Sequence, residues 1–532
     1  MSFVNPLVLS LAFFASFPQE TRISDQFRCT LAPSLVELLQ ADEEAPPEFR
    51  LILELRPRHG GYGGGEIERR ILVNSTPIAS WNGHQSVELD PESRSLVLTN
   101  PDRSYPEDWH GLEGLFEVRP MLLIEVEPGR PPLLVRGPEK QISLRAGNQD
   151  VIELELDELP TEDPGTEPPR AGVMEISIES PLISEHAGGI RSEDRMHRAH
   201  VVVPKDYHDF NASRRRWPVV YVVPGRADPG TFAEAISRLA NEPAMQKILP
   251  QVIWVVLDPR TDHGHHYFMD SALHGPRSQA LVEEFIPWID VRLRTIPRGD
   301  ARILLGEEQG GCSVLHLLVE HEEVFSDAWA ISPEAVSLAS LGKIDLYEDA
   351  NAYEQADGKS NPALRSPLGP ERDLVHLDVR GEVMRAQARG WNGNSGERWL
   401  ELCAVFGGRP ETPIEQWWPF DPATGAVKPI RVSRWMKKDL ARKARMNPEI
   451  ARRLHEHARI LIGDRDEYYR NLGTRSLEIV IEEVLAPDPE APMDLDWIDE
   501  IESASSLEVG MISNMRRNEQ IIEALKQRGH HD

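Results

Sequence analysis

Between residues 201 and 331, short apolar runs alternate with stretches of helical periodicity. That alternation restricts the chain to a mostly parallel sheet covered by helices. The runs are Val201 to Val203, Val219 to Val223, Val252 to Leu257, Ile303 to Leu305 and Ala328 to Ile331, and Ala458 to Gly463 supplies a late strand. None shows the polar alternation of a half-exposed strand, as expected of strands buried on both faces. Helices are expected over about 231–248 and 278–293, and a terminal helix over about 518–528.

The run at Ile303 to Leu305 leads into Gly306-Glu307-Glu308-Gln309-Gly310-Gly311 and then a helical stretch from Cys312. Small residues on both sides of a central residue, between strand and helix, form the frame that holds a hydrolase nucleophile in a strained turn above a sheet. The centre here is Glu308, where that chemistry needs serine. A carboxylate there is read as a solvated remnant of lost function, as a carboxylate nucleophile, or as the sign of an active site displaced elsewhere. Ser313 is expected to point along its helix, away from the turn.

Before this region, residues 27–156 show period-2 or short apolar runs, such as Phe49 to Leu55, Ser95 to Leu98 and Met121 to Val126, separated by Gly and Pro turns. An all-β sandwich is the expected fold there. His59 to Gly65 is a glycine loop lacking the Lys-Ser/Thr of a phosphate site. Residues 157–170, acidic and proline-rich, read as a linker. Residues 1–17 carry the apolar core Pro6 to Ser16, of signal-peptide length, so export to the periplasm or the exterior is expected. No later run approaches the ~20 apolar residues of a membrane span. A net charge of −29 counts against nucleic acid as a partner. Three scattered cysteines make neither a disulfide framework nor a zinc site.

Four stretches resemble the α/β-hydrolase fold, and more narrowly the putative-esterase family of the enterobactin-esterase and S-formylglutathione-hydrolase type. Trp217 to Gly225 is similar to the strand and oxyanion turn, and Val255 to Pro259 with Gly264 to Ser271 and Gly275 to Arg277 to the substrate-side loop. Leu281 to Ile289 resembles the helix before the elbow, and Gly463 to Tyr469 the acid loop. The resemblance implies an α/β-hydrolase unit over 171–532, with an insertion at about 337–447 that pattern alone does not fold. It also implies a Ser nucleophile, an acid and a His, in that chain order, with oxyanion donors on the main chain.

Carried over residue by residue, the nucleophile position is Glu308 and the acid position Asp466. The oxyanion donors would be the N–H groups of Arg226 and Gln309, and the substrate loop would hold His265, His266 and Asp270. No matching His follows Asp466. Leu507 to Ser513 stands where the family's His loop is expected and has none, while His530 and His531 fall on a frayed end. Glu308 beside the oxyanion donors would satisfy them itself. The histidines around 263–274 lack metal-ligand spacing, so no cofactor or metal is expected. His455 and His457 read as surface residues, and the cleft as lacking a cationic partner for Glu308.

Three functions remain open. The first is an exported, degenerate non-serine hydrolase that binds a ligand or partner. The second is an active carboxylic-ester hydrolase with rearranged residues. The third is carbohydrate binding through the β-domain and exposed tryptophans of the insertion, among them Trp417 and Trp418. A small ester or a carbohydrate-like molecule is the expected ligand.

Overall fold

The computed structural model describes residues 26–39, eight segments between 48 and 156 (48–57, 79–83, 87–90, 94–98, 103–105, 114–125, 133–144 and 151–156), and residues 172–530. Within the last span 187–192, 211–212, 243–248, 367–373, 390–396, 487–497 and 502–505 are not described. The expected leader at 1–17, the glycine loop at 59–65 and the linker at 157–170 lie outside the described residues.

An eight-stranded sheet organises the C-terminal part. Its strands are β1 (Met174–Glu179), β2 (Met196–Val202), β3 (Val219–Val223), β4 (Ile253–Leu257), β5 (Arg302–Glu307), β6 (Asp327–Ile331), β7 (Ala458–Gly463) and β8 (Ile498–Ile501). They lie in the order β1-β2-β4-β3-β5-β6-β7-β8. β2 runs antiparallel to β1 and β4, and every pairing from β4 to β8 is parallel. This is the mostly parallel sheet that the alternation of runs implied, in the α/β-hydrolase arrangement that the resemblance implied.

Side-chain alternation shows why these strands are continuously apolar. Val219, Tyr221 and Val223 enter the core on one face of the sheet, whereas Val220 and Val222 enter the core on the other. Both faces are covered by helices, so a polar group on these strands must be desolvated, which favours apolar side chains throughout. Helix α1 (Pro229–Asn241) follows β3, and its first turn is closed by Asp228, whose Oδ1 accepts from the Thr231 N–H at 2.8 Å. It ends at Asn241, earlier than its sequence pattern suggests.

Helix α2 (Gln309–Glu320) follows β5 and is buried around most of its circumference. The insertion contributes α3 (Val379–Arg389), α4 (Arg398–Leu402), α5 (Pro429–Trp435) and α6 (Leu440–Met446). After them come α7 (Pro448–His457), α8 (Arg470–Leu485) and α9 (Ser506–Gln527). Among the described residues no helix is long and apolar enough to cross a membrane.

The insertion is not a flap of surface aromatics. Trp399, Trp417, Trp418 and Trp435 are all buried, with Trp399 and Trp418 stacked at 6.1 Å between ring centroids. They belong to the same core as β3 and α2. Among the described residues the insertion therefore presents no exposed tryptophan, the feature on which carbohydrate binding by this region was expected.

Residues 26–156 hold two sheets. One runs Val151–Leu156, Gln26–Leu31, Ser95–Leu98, Val87–Asp90, and the other is built on Glu48–Pro57 and Gly114–Glu125. Both contribute to one apolar core that includes Phe27, Leu53 and Leu122. The segment is not wholly β, because the helix Pro33–Leu39 adds Leu35 and Leu39 to the same core. Period-2 reading missed it because its apolar residues lie beside strand-like runs.

Candidate active site

β5 ends at Glu307 and α2 begins at Gln309, so Glu308 stands alone between strand and helix. Its backbone is at φ 52°, ψ −111°. For a residue with a Cβ this costs about 1–3 kcal/mol and survives only where the surroundings enforce it. They do so here: the Glu308 N–H donates to the Ile331 carbonyl at 2.9 Å, and its carbonyl accepts from Cys312 and Glu334 N–H at 3.2 and 3.1 Å. The flanking glycines are needed for close approach. A Cβ on Gly306 would lie 2.1 Å from the Gly310 carbonyl oxygen, and one on Gly310 would lie 1.8 Å from that of Val223.

The side chain of Glu308 is 28 % exposed and turns toward the loop after β3. Its Oε2 lies against Gly225, where a Cβ would come within 3.0 Å of it. The Arg226 N–H, one of the expected oxyanion donors, faces this carboxylate and helps to lower its pKa. Burial works to raise the Glu308 pKa, but Arg470 and Arg226 outweigh it and hold the group below the usual carboxylate range. Glu308 therefore carries a negative charge at neutral pH beside the Arg226 N–H.

The cation that makes this arrangement stable is Arg470, at the start of α8. Its Nη1 is 3.1 Å from Glu308 Oε1, and its Nε is 3.0 Å from each oxygen of Asp466. Asp466 is fully buried and also accepts from the Tyr468 and Arg470 N–H groups at 3.0 Å each. The cleft thus has a cationic partner for Glu308, contrary to the sequence expectation. A guanidinium thus bridges Glu308 and Asp466, the two residues that the resemblance set at the nucleophile and acid positions, which an imidazole bridges in a serine triad.

The insertion closes on this array from the other side. Glu401, on α4, accepts from Gln309 Nε2 at 3.1 Å and from the His265 N–H at 3.2 Å, and its carboxylate lies 3.7 Å from Arg226 Nη2. Deeper in, Arg398 pairs with Glu334 and, at 3.4 Å, with Glu382. Tyr267 donates to Glu334 at 3.2 Å.

Burial pushes the Glu401 pKa up to about 7, against the opposing pull of Arg226. A raised carboxyl pKa means that the fold favours the protonated form, so this contribution to stability is present below about 4.5 and is lost as pH rises through about 7. We expect the thermal midpoint of the wild type to fall across that window more steeply than that of Glu401→Gln. Equal slopes would remove Glu401 as the titrating group.

The substrate-loop residues are placed as structural groups. His265 Nδ1 accepts from the Tyr267 N–H at 2.9 Å, which leaves Nε2 to donate to the Pro224 carbonyl at 3.0 Å. With both ring nitrogens engaged, and burial pushing its pKa down to about 4, His265 is held neutral and cannot take a proton from the elbow. His266 Nδ1 likewise accepts from the Phe268 N–H at 3.0 Å, and Asp270 Oδ1 accepts from Ser278 and Gln279 N–H at 2.7 and 3.3 Å.

Ser313 is buried and donates to the Gln309 carbonyl at 2.8 Å. The stretch Leu507 to Ser513 is not a loop but part of α9. His455 is buried rather than on the surface. His530 is not frayed: its side chain is 7 % exposed, with Nε2 3.3 Å from Asp300. That places it beside the start of β5, about 20 Å of strand away from the elbow at ~3.3 Å per residue.

Arg470 and Glu401 were not singled out in the sequence. Arg470 had a usable signal, since it lies four residues after Asp466 at a helix start, a spacing that brings opposite charges together. Glu401 had none, because its place depends on how the insertion folds back.

Residues 192–384 match the family described as Putative esterase. No curated protein sequence matches the chain. Among solved structures it is similar to a ferulic acid esterase at 12 % identity, covering 66 % of this chain and 98 % of that one, with a TM-score of 0.38. The fluorophosphonate-binding serine hydrolase FphF of Staphylococcus aureus is similar at 12 % identity, 65 % and 97 % coverage and TM-score 0.35. An S-formylglutathione hydrolase from Agrobacterium tumefaciens is similar at 13 % identity, 67 % and 95 % coverage and TM-score 0.34. With its strained turn between β5 and α2, the chain carries an α/β-hydrolase fold, and its residues 192–384 match the family described as Putative esterase.

Proposed function

We propose that this protein is an exported, esterase-family scaffold that has given up serine-ester hydrolysis and binds a ligand or partner instead. The observation that carries the reading is the Glu308–Arg470–Asp466 array. It has the place of a Ser–His–Asp triad but offers neither a nucleophilic hydroxyl nor a proton acceptor for one. The carboxylate on the Arg226 N–H blocks the site at which a tetrahedral intermediate would be stabilised. Export rests on the apolar run Pro6 to Ser16, and a β-sandwich for 27–156 on the single core shared by its two sheets.

Purified protein is expected to leave p-nitrophenyl acetate at its buffer rate and to take up no fluorophosphonate. N-terminal sequencing of the same material should start near residue 18 if the leader has been removed. Stoichiometric labelling of any serine would overturn the proposal in favour of an active hydrolase with rearranged residues, and the labelled peptide would identify its nucleophile.

A further inference from the structure

We propose that the protein has a second site, separate from the elbow, that binds a small organic anion: a carboxylate or phosphate ester carrying an apolar group. The site is a cavity of about 460 Å³ between the loop around Asp270 and the insertion. That volume lies within the range of small-molecule sites. Arg409, Arg434, Lys437 and Lys438 line it, with Phe406 and Pro276 as apolar wall. Neither Glu308 nor Asp466 reaches it, and Phe406 packs edge-on against Tyr267 at 6.3 Å between the two sites.

Four cations gathered in one cavity are unexpected in a chain of net charge −29, and of the four Arg409 has a carboxylate beside it, Glu411 at 3.8 Å. Asp270 is the one acidic residue of the lining, and its Oδ1 is already taken by the N–H groups of Ser278 and Gln279. Arg434 Nη1 is buried with no hydrogen-bond partner among the described residues. Such a donor is costly unless something accepts from it. Lys438 donates to the Asp270 carbonyl at 2.7 Å, a neutral acceptor. Burial, with Lys443 nearby, pushes its pKa down against the opposing pull of Glu320 and Asp270. An anion restores the balance, and the Phe406–Pro276 wall accepts an apolar substituent next to it. Inorganic phosphate would leave that wall uncovered, which is why an organic anion is the better fit.

This proposal does not depend on the elbow being inactive. The test is isothermal titration of the full chain at low ionic strength with phenyl phosphate and with benzoate, which separate the phosphate and carboxylate arms, and with benzyl alcohol as the neutral analogue. We expect saturable binding of at least one anion and none of benzyl alcohol. Arg434→Gln/Lys437→Gln should weaken the anion by about tenfold or more, the equivalent of losing one charge-assisted hydrogen bond. Lys437→Glu, on an exposed side chain, should weaken the same probe and keeps the test valid where the double variant does not fold. No saturable binding of either anion, equal binding of benzyl alcohol, or unchanged affinity in the variants would overturn the site.

Discussion

Replacing Arg470 with methionine should destabilise the hydrolase-fold unit by about 3–5 kcal/mol, the usual cost of removing one partner from a buried ion pair. The size follows from what is left behind. Asp466 is fully buried and keeps only two backbone N–H donors, while Glu308 keeps the Arg226 N–H. Two carboxylates that shared a guanidinium then face the same small volume without it. Thermal and denaturant unfolding of the two proteins, followed by a probe of the C-terminal sheet such as tryptophan fluorescence, gives the difference. Because the groups act together, adding Glu308→Gln to Arg470→Met should recover part of the loss, with a coupling of roughly 0.5–3 kcal/mol. An unchanged transition in the Arg470 variant would mean that the array contributes nothing to the fold.

Glu308→Ser should yield no esterase, although it restores the residue that the elbow is built to hold. A complete triad is worth on the order of a million-fold in kcat, and its members act as a unit. In this variant the hydroxyl would meet an arginine already committed to Asp466 and a His265 with both nitrogens engaged. Turnover of p-nitrophenyl acetate is therefore expected to remain at the wild-type level. Stability should fall rather than rise, by about 1.5–3 kcal/mol, because a hydrogen-bonded charge pair with Arg470 is lost. Sequence alone suggested the opposite sign, since a carboxylate without a cation would have been a liability. Ester turnover in the single variant would show that another base reaches the elbow, and a raised midpoint would show that the Glu308–Arg470 contact is not stabilising.

A strained strand-to-helix turn holds Glu308 near Asp466, and one guanidinium bridges the two carboxylates. An arginine at the first turn of α8 reaches both carboxylates from one side, while Glu401 ties Gln309, His265 and Arg226 together from the other. A side chain that hydrolyses must be free to exchange protons, and each of these is held by at least one charge-assisted bond. The arrangement favours holding over turning over.

Periodicity was enough to give the parallel sheet and glycine spacing the strand-to-helix turn at Glu308, while Asp466 was singled out by the resemblance. These follow from local rules: strands buried on both faces must be apolar throughout, and a turn whose neighbours approach within a Cβ radius must be glycine. The absence of a His after Asp466 was legible for the same reason, since chain order is part of the sequence. What covers Glu308 was not. Arg470 lies 162 positions from Glu308 and Glu401 lies 93 positions from it, and no local pattern says which buried charges will share a volume. The insertion's described tryptophans, Trp399, Trp417, Trp418 and Trp435, were expected at the surface and are core, and the basic cavity joins the loop around Asp270 to residues beyond 400. Pairing of distant charges, and the shape of a cavity between distant segments, are set by how elements pack, and only the tertiary structure decided them.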